Sequence, residues 1–405
     1  MSSEEWPKRK LRTLCKKIGS GATPRGGKET YLSEGPFTLI RSQNVLDFYF
    51  SYEGLAYISE KQAHDLDNVE IERNDVLINI TGDSVARVCQ VPDQVIPARV
   101  NQHVSIIRPN DSLLIPKFLK YFLLNPIFKN YMLGLASVGG TRNALTKAMI
   151  EDFEIPLPPL ETQRRIAEIL SALDEKIELN RQTNATLEAM AQAIFDEWFV
   201  RFNFPGDDGE RVESELGPIP RGWRVGKLGE VCDITMGQSP PGESYNEMGV
   251  GLPFFQGRAD FTFRFPQKRV FTTDPKRYAY KFDSLVSVRA PVGDMNIAAE
   301  DCCIGRGLAA VMEKNGNQSF TYYFLRSLTT KFKSFEDNGT VFGSINRKDF
   351  EGMDCIIPPI SEIINFEELS RSIDDLIYER ERESATLAKI RDALLPKLMN
   401  GEIEV

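Results

Sequence analysis

The sequence predicts an α+β chain of two mixed α/β domains separated by two long antiparallel helices that form a coiled coil, with an internal pseudo-two-fold repeat. Three observations carry this. At 405 residues the chain is too long for one typical core. A proline-bearing segment, FEIPLPPLETQ at 153–163, returns as MDCIIPPISEI at 353–363. The stretches that follow both lead-ins repeat their apolar residues every seven positions. The predicted order is a first domain at 1–159, a central helix at 160–200 and a linker at 201–222. A second domain at 223–359 and a C-terminal helix with its tail at 360–405 complete it.

The helical repeat is strict. An offset of 200 pairs Pro158-Pro159-Leu160 with Pro358-Pro359-Ile360, Leu173-Asp174 with Ile373-Asp374, and Ala185-Thr186-Leu187 with Ala385-Thr386-Leu387. Steps of four and three from Ile166 pass through Leu170, Leu173, Ile177, Asn180, Asn184, Leu187, Ala191, Ile194 and Trp198. Phe366, Ile373, Ile377, Leu387, Leu394 and Leu398 hold the same register, with Arg380 and Ser384 at the two asparagine positions. A polar layer inside such a seam fixes register; the alternative is that the seam drifts and these side chains face water. Each helix would run about 60 Å at 1.5 Å per residue. The prolines stiffen the exit from each domain and set the helix start.

The domains repeat more loosely. Trp6, Leu11 and Cys15 match Trp223, Leu228 and Cys232 at an offset of 217. Ile18, Gly21, Thr23 and Pro24 match Ile234, Gly237, Ser239 and Pro240 at 216, and Asp75 and Leu77 match Asp283 and Leu285 at 208. Loops of different length on a common frame produce such a shrinking offset. The linker, rich in Gly, Pro and acid, reads as a connector.

The formal net charge is −9, and it sits in the helices: 160–200 carries −4 and 360–405 carries −5, while 1–159 is +1 and 201–359 is −1. Balanced domains can still present a basic face. No run of apolar residues is long enough to span a membrane, and the N-terminus lacks a signal-peptide core. Six cysteines without a CxxC pair, and only His64 and His103, argue against zinc and for reduced thiols in a cytoplasmic protein. No phosphate-binding loop, nucleophile elbow or kinase motif set is present. Asn125-Pro-Ile-Phe128 only faintly matches the loop of amino-methyltransferases and reads as a turn ending a helix.

The polar signals point to recognition. Residues 254–282 hold seven basic residues, two acids and nine aromatics, and supply Gln256, Arg258, Arg264, Lys268 and Arg269 as candidate DNA contacts. The alternation Phe261-Thr-Phe263-Arg-Phe265 equally fits a half-buried strand. In the first domain Arg41, Ser42, Gln43 and Asn44 are residue types that read base edges, or that hold a loop together. Asn101, Gln102 and His103 stand where the second copy has Gly305-Arg306. Thr81 and Arg87 lie at a strand end matched by Arg289. Thr141, Arg142, Asn143, Asn346 and Arg347, just before the lead-ins, could touch phosphate or cap a helix.

With these residues in view the chain resembles the specificity subunit of type I restriction–modification systems along nearly its whole length. The resemblance rests on Ile155-Pro-Leu-Pro-Pro159-Leu-Glu-Thr-Gln163-Arg-Arg-Ile166-Ala, on Ile194-Phe-Asp-Glu-Trp198-Phe199, on Glu215-Leu-Gly-Pro-Ile-Pro220, and on Leu394-Leu-Pro396-Lys-Leu398. It implies two target recognition domains, each reading half of a split double-stranded DNA site, with the helices as the spacer. It also implies docking of two methylation subunits, assigned to Gln163, Ile166, Trp198 and Phe199, and the joining of restriction subunits. The chain itself would be non-catalytic and bind no metal or cofactor; S-adenosylmethionine, ATP and Mg belong to the partners. The second lead-in lacks the Gln-x-x-Ile-Ala pattern of 163–167, which puts equal docking by both helices in question. Other readings are a coiled-coil scaffold without DNA recognition, and the specificity half of a fused methyltransferase–nuclease.

Overall fold

A computed structural model describes residues 6–137, 143–289, 291–337 and 343–405. By its contacts the chain divides into two compact units: Met1–Arg181 with Glu381–Val405, and Gln182–Arg380. Both boundaries fall inside a long helix rather than at a domain edge. The central helix spans Leu160–Phe195 and continues as a wider turn over Asp196–Val200; the C-terminal helix spans Ile360–Met399. Each unit therefore contains a globular part and half of each helix.

In the first unit a four-stranded antiparallel sheet has the order Cys15–Ser20, Val104–Pro109, Val76–Asn79, Val88–Gln90. Its central strand, Val76-Leu-Ile-Asn79, is buried throughout. Successive side chains point to opposite faces. Val76 and Ile78 enter a core shared with Leu119, Ile166, Leu170 and Leu395, while Leu77 enters a second core with Leu39, Ile58 and Val100. Helices cover one face. The other face meets a three-stranded sheet in which Phe37–Ile40 lies antiparallel to Ala56–Ile58 and parallel to Ala98–Val100.

The second unit repeats this plan. Cys232–Met236, Leu308–Glu313, Ser284–Ser287 and Met295–Ile297 form the sheet. Val286 faces one core and Leu285 the other. Leu252–Phe255 runs parallel to Cys302–Ile304, as Phe37–Ile40 does to Ala98–Val100. Gly21 and Gly237 occupy matching close approaches: a Cβ would lie 1.7 Å from Val100 O in one and 2.1 Å from Gly305 O in the other, so only glycine fits.

The first edge strand differs by one residue. Its register steps between Cys15 and Lys17, leaving Lys16 as the extra residue of a β-bulge, whereas Cys232–Met236 pairs without a break. This insertion accounts for the offset falling from 217 at Cys15 to 216 at Ile18.

The lead-ins are pinned strands. Glu154–Pro156 pairs with Lys8–Lys10, and Asp354–Ile357 pairs with Arg224–Lys227. Leu157 N donates to Pro7 O at 2.9 Å. Each helix thus starts from a strand already fixed to its domain's first segment. The linker is docked too: Phe202 and Phe204 lie 5.5 and 5.2 Å from the Trp223 ring. Asn125 ends the helix Pro116–Leu124, its Oδ1 accepting from Ile127 N.

Within the first unit the helix halves run antiparallel. Asp174 meets Arg391, and Asn180 meets Glu383 and Ser384. Asn180 is buried, so the polar layer lies in the seam and does not drift to water. In the second unit Phe195 packs edge-on against Phe366 at 5.4 Å.

Candidate nucleic-acid interface

In the first unit the strand Val76–Asn79 ends at a cleft. Buried Asn79 donates from Nδ2 to Ser42 O at 2.9 Å and Val45 O at 3.2 Å, tying the turn Ser42–Asn44 to the sheet. Asn44, itself buried, accepts from Arg41 N and donates to Ser51 O. The opening above holds about 800 Å³ and is lined by Ser42, Gln43, Thr81, Gly82, Asp83, Ser84, Arg87, His103 and Asn143. Six of the residues singled out from the sequence thus converge from four separate segments.

Their chemistry suits base edges. Thr81 Oγ1 lies 2.6 Å from His103 Nδ1, and Gln102 Nε2 lies 3.2 Å from His103 Nε2. With the Gln102 amide donating, the imidazole donates from Nδ1 to Thr81. That leaves the threonine hydroxyl hydrogen free to donate into the cleft. Arg87 has no hydrogen-bond or ion-pair partner for its side chain among the described residues. Asp83 and Ser84 escaped the sequence reading, although Gly82-Asp-Ser84 directly follows a strand, where polar loops sit.

The second unit holds the equivalent place with different tips. Thr81 bridges to Ala144, and Arg289 bridges to Ser344. Arg289 and Arg306 are exposed, and their side chains have no partner among the described residues. Gln256, exposed beside them, accepts at its carbonyl from Gly307 N. The shared frame therefore presents Thr81, Gln102 and His103 in one copy and two free arginines in the other.

Several expected contacts are corrected by burial. Arg264 is 1% exposed and lies 3.7 Å from the Tyr322 ring. Its guanidinium donates to Glu188 at 2.7 Å and to Asp374, so it is a buried brace and not a DNA contact. Burial pushes Asp374 up, and the Arg264 charge opposes this. No strand forms over 261–270; the half-buried aromatics surround an inward arginine. Asn44 and Asn101 are buried and hold loops, Asn101 Oδ1 accepting from His103 N. Arg41 donates to Gly54 O beside the Tyr31 ring, and Gln43 Nε2 donates to the same oxygen at 3.3 Å, so Arg41 is a loop brace. Asn346 caps the helix Arg347–Glu351, accepting from Asp349 N at 3.0 Å. Arg258, Lys268, Arg269 and Arg347 are exposed, and each pairs with an acid: Asp294, Glu300, Asp260 and Glu351. Thr141 and Arg142 lie outside the described residues.

The expected docking residues also turn inward. Gln163 is 1% exposed; its Oε1 accepts from Ile115 N at 2.9 Å and its Nε2 donates to Pro158 O at 3.0 Å. Ile166 is core, and Phe199 packs among Phe195, Trp223 and Phe366. Only Trp198 keeps a partly open face.

Both halves of the chain, residues 3–189 and 220–384, match the family model of the type I restriction modification DNA specificity domain. The chain belongs to that family. Among relatives of the specificity-subunit family, one from Methanocaldococcus jannaschii, by name the MjaX specificity subunit, is 29% identical over 99% of this chain and 94% of its own. The HindI specificity subunit of Haemophilus influenzae is 25% identical, covering 82% of this chain and 87% of its own. The crystal structure of a type I restriction-modification S subunit from M. genitalium shares the fold, with a TM-score of 0.59 at 16% identity over 98% and 97% of the two chains. Among the described residues, no helix is long and apolar enough to cross a membrane.

Proposed function

We propose that this specificity-family chain reads a split double-stranded DNA site, one half through each unit. The observation that carries the reading is the repeated strand end: an equivalent place in each unit, with one set of polar tips exchanged for another. In the first unit Gln43, Thr81, Asp83, Gln102 and His103 face the bases and Arg87 a phosphate or a guanine edge. In the second, Gln256, Arg289 and Arg306 take those places. Arg258, Lys268, Arg269 and Arg347 contribute at the rim. The central and C-terminal helices, 36 and 40 residues long, act as the spacer between half-sites.

The chain carries no catalytic step in this reading. It docks two methylation subunits, which use S-adenosylmethionine, and restriction subunits, which use ATP and Mg. With Gln163, Ile166 and Phe199 buried, the docking surface moves to the exposed apolar residues of the helices. These are Ile169, Leu179 and Ile390 in the first unit and Ile364, Leu369 and Leu376 in the second.

The test is a map of methylated adenines across the genome with and without the gene. A split motif that vanishes on deletion is expected. A methylation pattern indifferent to the gene would overturn the reading.

A further inference from the structure

The segment Pro7-Lys-Arg-Lys-Leu-Arg-Thr-Leu-Cys-Lys-Lys17 holds six cations and no acid; its counterpart Arg224–Asp233 holds two cations and two acids. Two of these cations, Lys16 and Lys17, lie on the bulged edge strand. Arg12, Lys16, Lys17 and Lys147 line a recess of about 330 Å³, with Glu151 as its acid. Arg12 is 3.1 Å from Asp152 and Lys147 is 3.5 Å from Glu151, both on the surface. The side chains of Lys16 and Lys17 make no hydrogen bond or ion pair among the described residues. Lys16 is the inserted bulge residue, fully at the edge. Lys17 holds its proton less tightly than usual because burial and the nearby Arg108 charge outweigh the acids Asp75, Glu72 and Glu70; an anion against it offsets both effects. In the second unit the same strand position is Asp233, pairing with Met312 as Lys17 does with Arg108.

We propose that this bulged edge is a second DNA-binding surface of the first unit, taking backbone phosphates of the duplex whose bases enter the adjoining cleft. The two sites are joined by a short stretch of chain. Asn143 lines the cleft, Thr146 caps the helix Lys147–Glu151, and Lys147 lines the recess. Four peptide steps place the Cα atoms of residues 143 and 147 within about 14 Å of each other. Phosphates along one strand are about 3.4 Å apart along the axis. A duplex in the cleft therefore carries phosphates about four nucleotides away that can reach the recess. The first unit then holds DNA through a second cluster of cations as well as by base edges, whereas the second relies on Arg289, Arg306 and the acid-paired cations of its rim.

This rests on the cleft reading above, and the test separates the two. The full chain is titrated with labelled random-sequence duplex DNA over a range of salt concentrations. Combined Lys16→Ala, Lys17→Ala and Lys147→Ala should weaken binding and flatten the salt dependence by about 0.9 for each phosphate no longer bound. The methylated motif in cells should stay the same. The single reversal Lys16→Glu, on an exposed side chain, should act in the same direction, and Lys16→Arg should restore binding. An unchanged salt slope in the triple variant, with Arg87→Ala still weakening binding, overturns the phosphate site and leaves the cleft reading intact. Loss of assembly with the methylation subunits at unchanged DNA affinity also overturns it, in favour of an acidic protein surface. A wild-type chain with no DNA affinity, alone or assembled, sinks both.

Discussion

Asp75 and Asp283 are the same residue in two copies. Each follows a residue with positive φ, Asn74 at 67° and Phe282 at 75°. Each accepts a backbone N–H three residues back at 2.8 Å, from Glu72 and from Tyr280. In the first unit Arg108 grips Asp75 with two bonds of 2.8 Å. In the second the matching strand position is Met312, and burial pushes Asp283 up to about 6. A second matched acid differs the other way. Asp174 takes Tyr121 and Lys120, with Arg391 arriving from the C-terminal helix. Asp374 takes Tyr323 and Arg264, an arginine from the domain's own loop. Backbone geometry survives divergence because the sheet demands it. The counter-charge does not, because any nearby segment can supply or omit it.

The largest expected effect tests that last difference. Arg264→Ala leaves Asp374 in the interior without its counter-charge, while Glu188 keeps Arg326 and the Tyr322 hydroxyl, and should cost about 3–5 kcal/mol. Chemical denaturation of the full chain measures it. Arg391→Ala should cost less, since Asp174 keeps Lys120; equal losses would show that the two acids do not depend on their arginines in different ways.

Next comes pH. The folded state holds the Asp283 proton more tightly than the unfolded state, whose value is near 3.8. Between about 4 and 6 the native state therefore binds more protons, and stability falls as pH rises through this window. The expected loss is on the order of 2–3 kcal/mol. Asp283→Asn keeps the acceptor for Tyr280 and should flatten the curve. Asp75→Asn should instead destabilise at neutral pH by removing the buried counter-charge of Arg108, which keeps only Glu72 at the surface. Matching pH profiles for the two variants would erase the contrast.

Smaller effects concern the joints and the tips. Gln163→Ala leaves Ile115 N and Pro158 O without their partner and should cost about 1–3 kcal/mol in melting experiments. The other copy has buried Ile363 there, and Glu367 one turn on accepts from Phe320 N, so Ile363→Ala should act through packing alone. Arg306→Ala should relax one base of one half-site, worth about 1–3 kcal/mol of discrimination, with the other half unchanged in the methylation map. Relaxation of both halves would break the assignment of one half-site to each unit.

The helices, the repeat and the strand-end cleft were legible because they depend on periodicity and on spacing between apolar residues. Even the one-residue change in offset at Lys16 was visible before its cause. The fate of single polar residues was not legible. Phe261-Thr-Phe263-Arg-Phe265 offers the same text for an exposed reader and for a buried brace. The decision was made by Glu188 and Asp374, far away in sequence. Gln163 and Ile166 stood in a strong motif, but that motif seals the joint between strand and helix. Asp83 and Ser84 were missed because short polar loops carry no period.

The bulge at Lys16 has a consequence for how such a gene can change. One codon added inside a paired strand reverses the parity of every later side chain and turns the core outward. At this edge the extra residue loops out, and Ile18 still faces inward. The edge strand is thus a place where the reading frame of the fold can gain a letter without rewriting the words that follow.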